Sequence, residues 1–156
     1  HDDTIQWLSE FSNLIITRTF SKAYGLAGLR VGYSLCSPLI ADFINRVREP
    51  FNVNYTAQVA AIAALQDDDY LSESIKVNSD GYEQLVGCFK ALRLNYIPSY
   101  ANFIAVEFDD PMGIYNALLK EGVIVRPVEM SGYLRISIGT FEENEHLITA
   151  LNKILC

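Results

Sequence analysis

The feature that most narrows the folds open to this chain is a glycine-punctuated stretch, Thr19 to Gly32, enclosed by two short apolar runs. Asn13 to Thr17 (NLIIT) is apolar and β-branched between polar neighbours, which predicts a strand buried on both faces, as in parallel sheets. Val31 to Cys36 predicts a second strand. Gly25, Gly28 and Gly32 interrupt the residues between too often for a regular helix, so the expected unit is strand, long loop, strand.

Beyond it, Ser37-Pro38 offers a cap and a first-turn proline to a helix whose face is Leu39, Ile40, Phe43, Ile44 and Val47, ending before Pro50. Tyr55 to Gln66 is Ala-rich and apolar almost all round, predicting a buried helix, and Tyr70 to Leu92 predicts a longer amphipathic one. The order then changes to strand (Ala101 to Phe108), helix (Gly113 to Glu121), strand (Val123 to Pro127), strand (Tyr133 to Ile138) and helix (Phe141 to Leu155). Thr140 with Glu143 forms a capping box at the start of the last helix. An α/β layer to about Gln66 followed by a smaller α+β domain is the organisation expected. No internal repeat is visible.

Of the 156 residues, 50% are hydrophobic and 20% charged, an ordinary globular composition that excludes collagen-like and disordered classes. The longest unbroken apolar run, Val59 to Leu65, is far short of the roughly 18 residues of a membrane span. A net charge of −7 gives no electrostatic footprint for a nucleic-acid backbone, so any phosphate must be held locally. Cys36, Cys88 and Cys156 show neither a disulfide framework nor zinc spacing, which fits a reducing, cytoplasmic setting. With Met112 and Met130 as its methionines and no signal-peptide pattern, a chain beginning at His1 is expected to come from something longer.

The segment Thr19-Phe20-Ser21-Lys22-Ala23-Tyr24-Gly25-Leu26-Ala27-Gly28-Leu29-Arg30 gathers two hydroxyls, a lysine, flexible glycines and an arginine that can converge on an anion. It is neither a Walker loop nor a G-x-G-x-x-G turn. A lone lysine in a Gly-rich loop is more often a solvated surface residue. The neighbours Phe20, Tyr24, Leu26 and Leu29, however, predict exclusion of water from Lys22, which would disfavour the ammonium and leave an amine able to attack a carbonyl carbon.

TFSKAYGLAGLRVGY resembles the cofactor-lysine motif of class I/II aminotransferases, the fold-type-I enzymes that use pyridoxal 5′-phosphate, and within them the histidinol-phosphate branch. The resemblance runs from Asn13 to Leu155. It implies the carboxy-terminal portion of that α/β fold, with residues 1–66 a remnant of the large parallel-sheet, cofactor-binding domain and 67–156 the small α+β domain. It also implies that Lys22 forms a Schiff base with the cofactor aldehyde and shuttles the substrate Cα proton. Thr19, Ser21 and Arg30 would hold the cofactor phosphate. Taken without the resemblance, these hydroxyls more often satisfy their own backbone, and Arg30 more often joins a surface ion pair.

Tyr133-Leu134-Arg135-Ile136-Ser137-Ile138-Gly139-Thr140 sets an arginine in a β-branched strand, where a solvent-facing edge charge is the ordinary explanation. The resemblance instead makes Arg135 the clamp for a substrate carboxylate or phosphate. It also associates Arg126 with the substrate phosphate, and it matches Asn102 to an asparagine near the active site, although a turn side chain bonding backbone is the ordinary role there. The stretch between Arg126 and Arg135 is shorter than the family's usual loop, a departure that bears on substrate identity.

The activity implied is amino transfer between histidinol phosphate, or a similar amino acid, and 2-oxoglutarate. Small amino-acid and 2-oxo-acid substrates, a homodimer and an amino-terminal half of the same enzyme are the implied partners. That half would bring the cofactor's remaining contacts, including an aspartate on the pyridine nitrogen. A decarboxylase or lyase of the same fold, and a regulator's ligand-binding module joined to a DNA-binding region, are the alternative readings. His1 and His146 lack carboxylates at metal-ligand spacing, and Asp67-Asp68-Asp69 reads as a solvated turn, so no metal is expected.

Overall fold

The computed structural model describes residues 3–155. The sequence readings that touch His1 and Cys156 lie outside the described residues. Contacts divide the chain into two compact units, His1–Ser72 and Glu73–Cys156.

The first unit holds a short helix α1 (Asp3–Gln6), strands β1 (Ile15–Thr19) and β2 (Gly32–Cys36), and helices α2 (Pro38–Val47) and α3 (Tyr55–Ala64). Its two strands correct the expectation of interior parallel strands: β1 and β2 pair with each other, antiparallel, with Ile15 opposite Cys36 and Thr19 opposite Gly32. Nor is β1 buried on both faces, since along its length only Ile16 is even half-buried. An apolar β-branched run favours pairing but does not fix its direction. Here the loop between the strands returns the chain alongside itself, and the close approach is visible at Gly32, where a Cβ would lie 2.6 Å from the Arg18 carbonyl oxygen.

Pro38 opens α2 as expected, but Ser37 makes no side-chain capping bond. Asn54 caps α3, its side chain accepting from the Ala57 N–H at 2.8 Å. The expected burial of α3 is also corrected. Ala57 and Ala61 are buried, while Tyr55, Val59 and Ile62 are exposed, so the small-residue face packs and the bulky one does not. The unit's core is Phe20, Val31, Ala57 and Ala61.

Helix α4 (Asp68–Ala91) begins in the first unit and continues into the second. Asp67 caps it by accepting from the Tyr70 N–H at 3.0 Å, which gives the acidic run a structural role. The second unit continues with β3 (Tyr96–Ile97), β4 (Phe103–Glu107), α5 (Pro111–Lys120), β5 (Arg126–Pro127), β6 (Tyr133–Ser137) and α6 (Phe141–Leu155). The strands form one antiparallel sheet in the order β3-β4-β6-β5. Two-residue β3 was not foreseen, and β5 is shorter than the expected Val123 to Pro127.

One face of this sheet, through Ile104, Val106, Leu134 and Ile136, shares a core with Leu85, Val86 and Phe89 of α4, Leu118 of α5, and Leu147 and Leu151 of α6. Strand alternation puts Phe103, Ala105 and Arg135 on the other face. The capping box is formed as the sequence predicts: Glu143 accepts from the Thr140 N–H at 2.8 Å, and Thr140 Oγ1 accepts from the Glu143 N–H at 3.3 Å. Among the described residues no helix is long and apolar enough to cross a membrane.

Candidate active site

The loop after β1 is organised around Phe20. This side chain is 4% exposed, its N–H donates to the Val31 carbonyl at 3.2 Å, and its carbonyl accepts from Leu26 N–H at 2.9 Å. Between these anchors the Gly25 N–H closes a turn onto the Lys22 carbonyl at 2.8 Å, with Gly25 at φ +69°. The left-handed backbone there favours glycine, as any Cβ would be strained. Tyr24 stacks toward Phe20 at 5.0 Å between ring centroids, and Leu26 and Leu29 join the same cluster.

The apolar neighbours of Lys22 therefore turn inward to build the unit's core. Lys22 itself is exposed, which corrects the expected dry setting. A tight turn sends successive side chains to different sides, so apolar neighbours in sequence do not enclose the lysine in space.

Thr19, Ser21 and Arg30 do come together. They line one depression of about 430 Å³, together with Thr17, Arg18 and Ser34. Thr19 Oγ1 accepts the Ser21 N–H at 3.1 Å, and Arg30 Nη1 donates to the Ala27 carbonyl at 2.6 Å, which fixes the guanidinium to its own loop. Arg30 adopts φ +53°, a left-handed conformation uncommon outside glycine and shared in this chain by Phe51 and Arg93. Hydroxyls beside guanidinium donors form a set suited to a phosphate dianion.

In the second unit, Arg126 and Arg135 stand directly opposite each other across the β5–β6 ladder. Like charges in this arrangement repel. Neither is in an ion pair among the described residues. Among the described residues no hydrogen-bond partner reaches the buried Arg135 Nε, and the guanidinium carbon lies over the Phe103 ring, 4.7 Å from the centroid. Asn102 is exposed, and its carbonyl accepts from the Ile138 N–H at 3.0 Å, holding the residue at the start of β4. Thus Thr19, Ser21 and Arg30 share one depression, which Lys22 does not line, while in the second unit Arg126 and Arg135 face each other and Asn102 stands apart from them at the start of β4, three positions before the Ala105 that faces Arg135. His146 hydrogen-bonds through Nε2 to the Glu121 carbonyl at 3.0 Å.

Residues 1–151 match the profile of the family described as Aminotransferase class I and II, and the chain belongs to that family. It is 51% identical to the histidinol-phosphate aminotransferase of Methylobacillus flagellatus, over 98% of this chain and 42% of that protein. It is 54% identical to histidinol-phosphate aminotransferase 2 of Pseudomonas aeruginosa, with the same coverage of 98% and 42%. The chain thus spans about two-fifths of the length of these relatives. Among solved structures, the histidinol-phosphate aminotransferase of Sinorhizobium meliloti in complex with pyridoxal-5′-phosphate superposes with a TM-score of 0.85 at 33% identity, covering 97% of this chain and 43% of that one.

Proposed function

We propose that this chain is the carboxy-terminal portion of an aminotransferase that moves an amino group between histidinol phosphate, or a similar amino acid, and 2-oxoglutarate. The observation that carries the reading is the depression shared by Thr19, Ser21 and Arg30, whose donors suit the phosphate of pyridoxal 5′-phosphate, with Lys22 next in the chain to Ser21.

Pyridoxal 5′-phosphate, when bound, supplies an electron-withdrawing ring that makes a substrate Cα–H acidic. In this reading Lys22 Nζ would hold the cofactor and, once freed from it by the incoming substrate amine, would accept and return the Cα proton, one amine serving both roles. The hydroxyls of Thr19 and Ser21 and the fork of Arg30 bind the cofactor phosphate and fix its position. Arg135 presents bidentate donors to a substrate carboxylate or phosphate. Arg126 adds a second positive charge, and Asn102 orients polar substrate atoms. An unpaired arginine couple suits anions of more than one kind, as a reaction with two successive anionic substrates requires.

The chain's span of about two-fifths of its relatives' length supports an amino-terminal half of the same enzyme as a partner that completes the site, and the same reading takes a homodimer as the assembly. Cytoplasmic placement follows from the same reading. The test is borohydride reduction of the protein carrying this amino-terminal region, followed by peptide mapping. Cofactor fixed on Lys22, together with amino transfer from histidinol phosphate to 2-oxoglutarate, is expected. Label on another lysine, such as Lys76, or carbon dioxide release in place of amino transfer, would overturn the reading.

A further inference from the structure

We propose that Phe103 is a positioning residue for the anion clamp, its ring holding the Arg135 guanidinium in place so that the N–H fork faces the anionic group of the substrate. This rests on the reading of Arg135 as the substrate's anion anchor.

The register creates the contact. Arg135 is opposite Ala105 and Ser137 is opposite Phe103, so Phe103 is the diagonal neighbour of Arg135 on the face of the sheet turned away from the core. Diagonal neighbours are within reach of aromatic and long side chains. The 4.7 Å separation of guanidinium carbon and ring centroid lies inside the roughly 6 Å range of a cation–π contact. Directly across from Arg135 on β4, Ala105 is too small to compete for the space.

Two forces then act on one long side chain. Arg126, facing Arg135 from β5, pushes a like charge away, while the ring of Phe103 draws it in. A guanidinium's five donors lie in its plane, whereas a ring beneath it occupies the perpendicular direction, so the stack leaves the fork free for a bidentate anion. Arg135 Nε, which has no hydrogen-bond partner among the described residues, is a donor left for an acceptor that arrives with a ligand. With leucine in place of Phe103, repulsion from Arg126 has no counterweight and the arginine must be ordered anew at each binding event.

The experiment compares Phe103→Leu, Phe103→Tyr and Arg135→Ala in the cofactor-loaded enzyme carrying its amino-terminal region. It reads KM and kcat for histidinol phosphate and for 2-oxoglutarate, and the inhibition constant of inorganic phosphate. Loss of a cation–π contact of ordinary strength corresponds to about a two- to thirty-fold weakening. Phe103→Leu is expected to raise KM and the phosphate inhibition constant in that range, with kcat within about twofold, and Phe103→Tyr to bring both back. If Arg135→Ala raises KM but Phe103→Leu does not, the positioning role falls and the anchor stands. If Arg135→Ala leaves KM unchanged, both fall. A drop in kcat with Phe103→Leu that tyrosine does not rescue reduces Phe103 to packing and overturns the proposal.

Discussion

Asn144, 2% exposed on α6, donates from Nδ2 to Gln84 Oε1 on α4 at 3.1 Å, joining two helices that are far apart in sequence through a buried polar contact. The same amide is fully occupied: Oδ1 accepts the Gly139 N–H at 3.0 Å and Nδ2 also reaches the Gly139 carbonyl at 3.2 Å. A Cβ on Gly81 of α4 would lie 2.8 Å from Nδ2 and 2.7 Å from Ile138 Cγ2, so the helix can pass this close only with glycine there.

Replacing Asn144 by leucine takes the side-chain partner from both polar groups of half-buried Gly139 and from Gln84 Oε1. An unpaired buried group costs about 1–3 kcal/mol, so Asn144→Leu should lower stability by about that much, read as a shift of the urea midpoint. Gln84→Leu should cost less: besides the contact to Asn144 it removes the Gln84 Nε2 bonds to the Phe141 carbonyl at 3.3 Å and Glu145 Oε1 at 2.7 Å, but those two partners are exposed and water can replace them.

The facing arginines predict a trade between stability and binding. Relieving like charges opposite each other in a ladder is worth about 0.2–1 kcal/mol, so Arg126→Gln should raise the melting temperature slightly while weakening affinity for histidinol phosphate. A lower melting temperature would mean that the pair is not repulsive in solution.

Arg30→Ala should weaken cofactor affinity by about 1.5–3 kcal/mol, the worth of a hydrogen bond to a charged group, measured by equilibrium dialysis. Arg135→Ala should leave cofactor affinity intact and raise KM for the anionic substrates, which separates the two groups of arginines by experiment.

Three glycines of the lysine loop should respond differently to alanine. Gly28 has open space where a Cβ would sit and no positive φ, so Gly28→Ala should be neutral or stabilising by about 0.4–1 kcal/mol through the unfolded chain. Gly25→Ala meets both the left-handed backbone and the Tyr70 hydroxyl, 2.6 Å away, and Gly32→Ala meets the Arg18 carbonyl oxygen. Both should destabilise β1–β2 pairing, seen as faster hydrogen exchange at Ile16.

The elements of the second unit were legible because each buries one clear face against a shared core. Phe141 to Leu155 carries its cap and its period in sequence, and it forms as expected. Direction of strand pairing was not legible, since Ile15 and Ile16 would favour a parallel or an antiparallel neighbour equally. Lys22 shows a related limit: Phe20, Tyr24 and Leu26 were visible as apolar neighbours, but which way a turn sends each side chain depends on backbone angles such as that of Gly25. The facing of Arg126 and Arg135 depends on register, and the stack of Phe103 on Arg135 depends on it again. Neither follows from spacing along one strand.

The uneven distribution of core between the two units has a kinetic consequence. Residues from Leu85 to Leu151 close a core among themselves, largely from neighbouring elements, and should refold in a phase independent of protein concentration. In the first unit the buried apolar side chains among the described residues are Phe20, Val31, Ala57 and Ala61, while one side of α2 leaves Leu39, Phe43 and Val47 in water, Val47 at 82% exposure. Side chains of that kind capture one another when chains meet, so aggregation during refolding should start from α2 and grow with chain concentration. Leu39→Lys or Val47→Glu should suppress it without slowing the phase that belongs to the second unit.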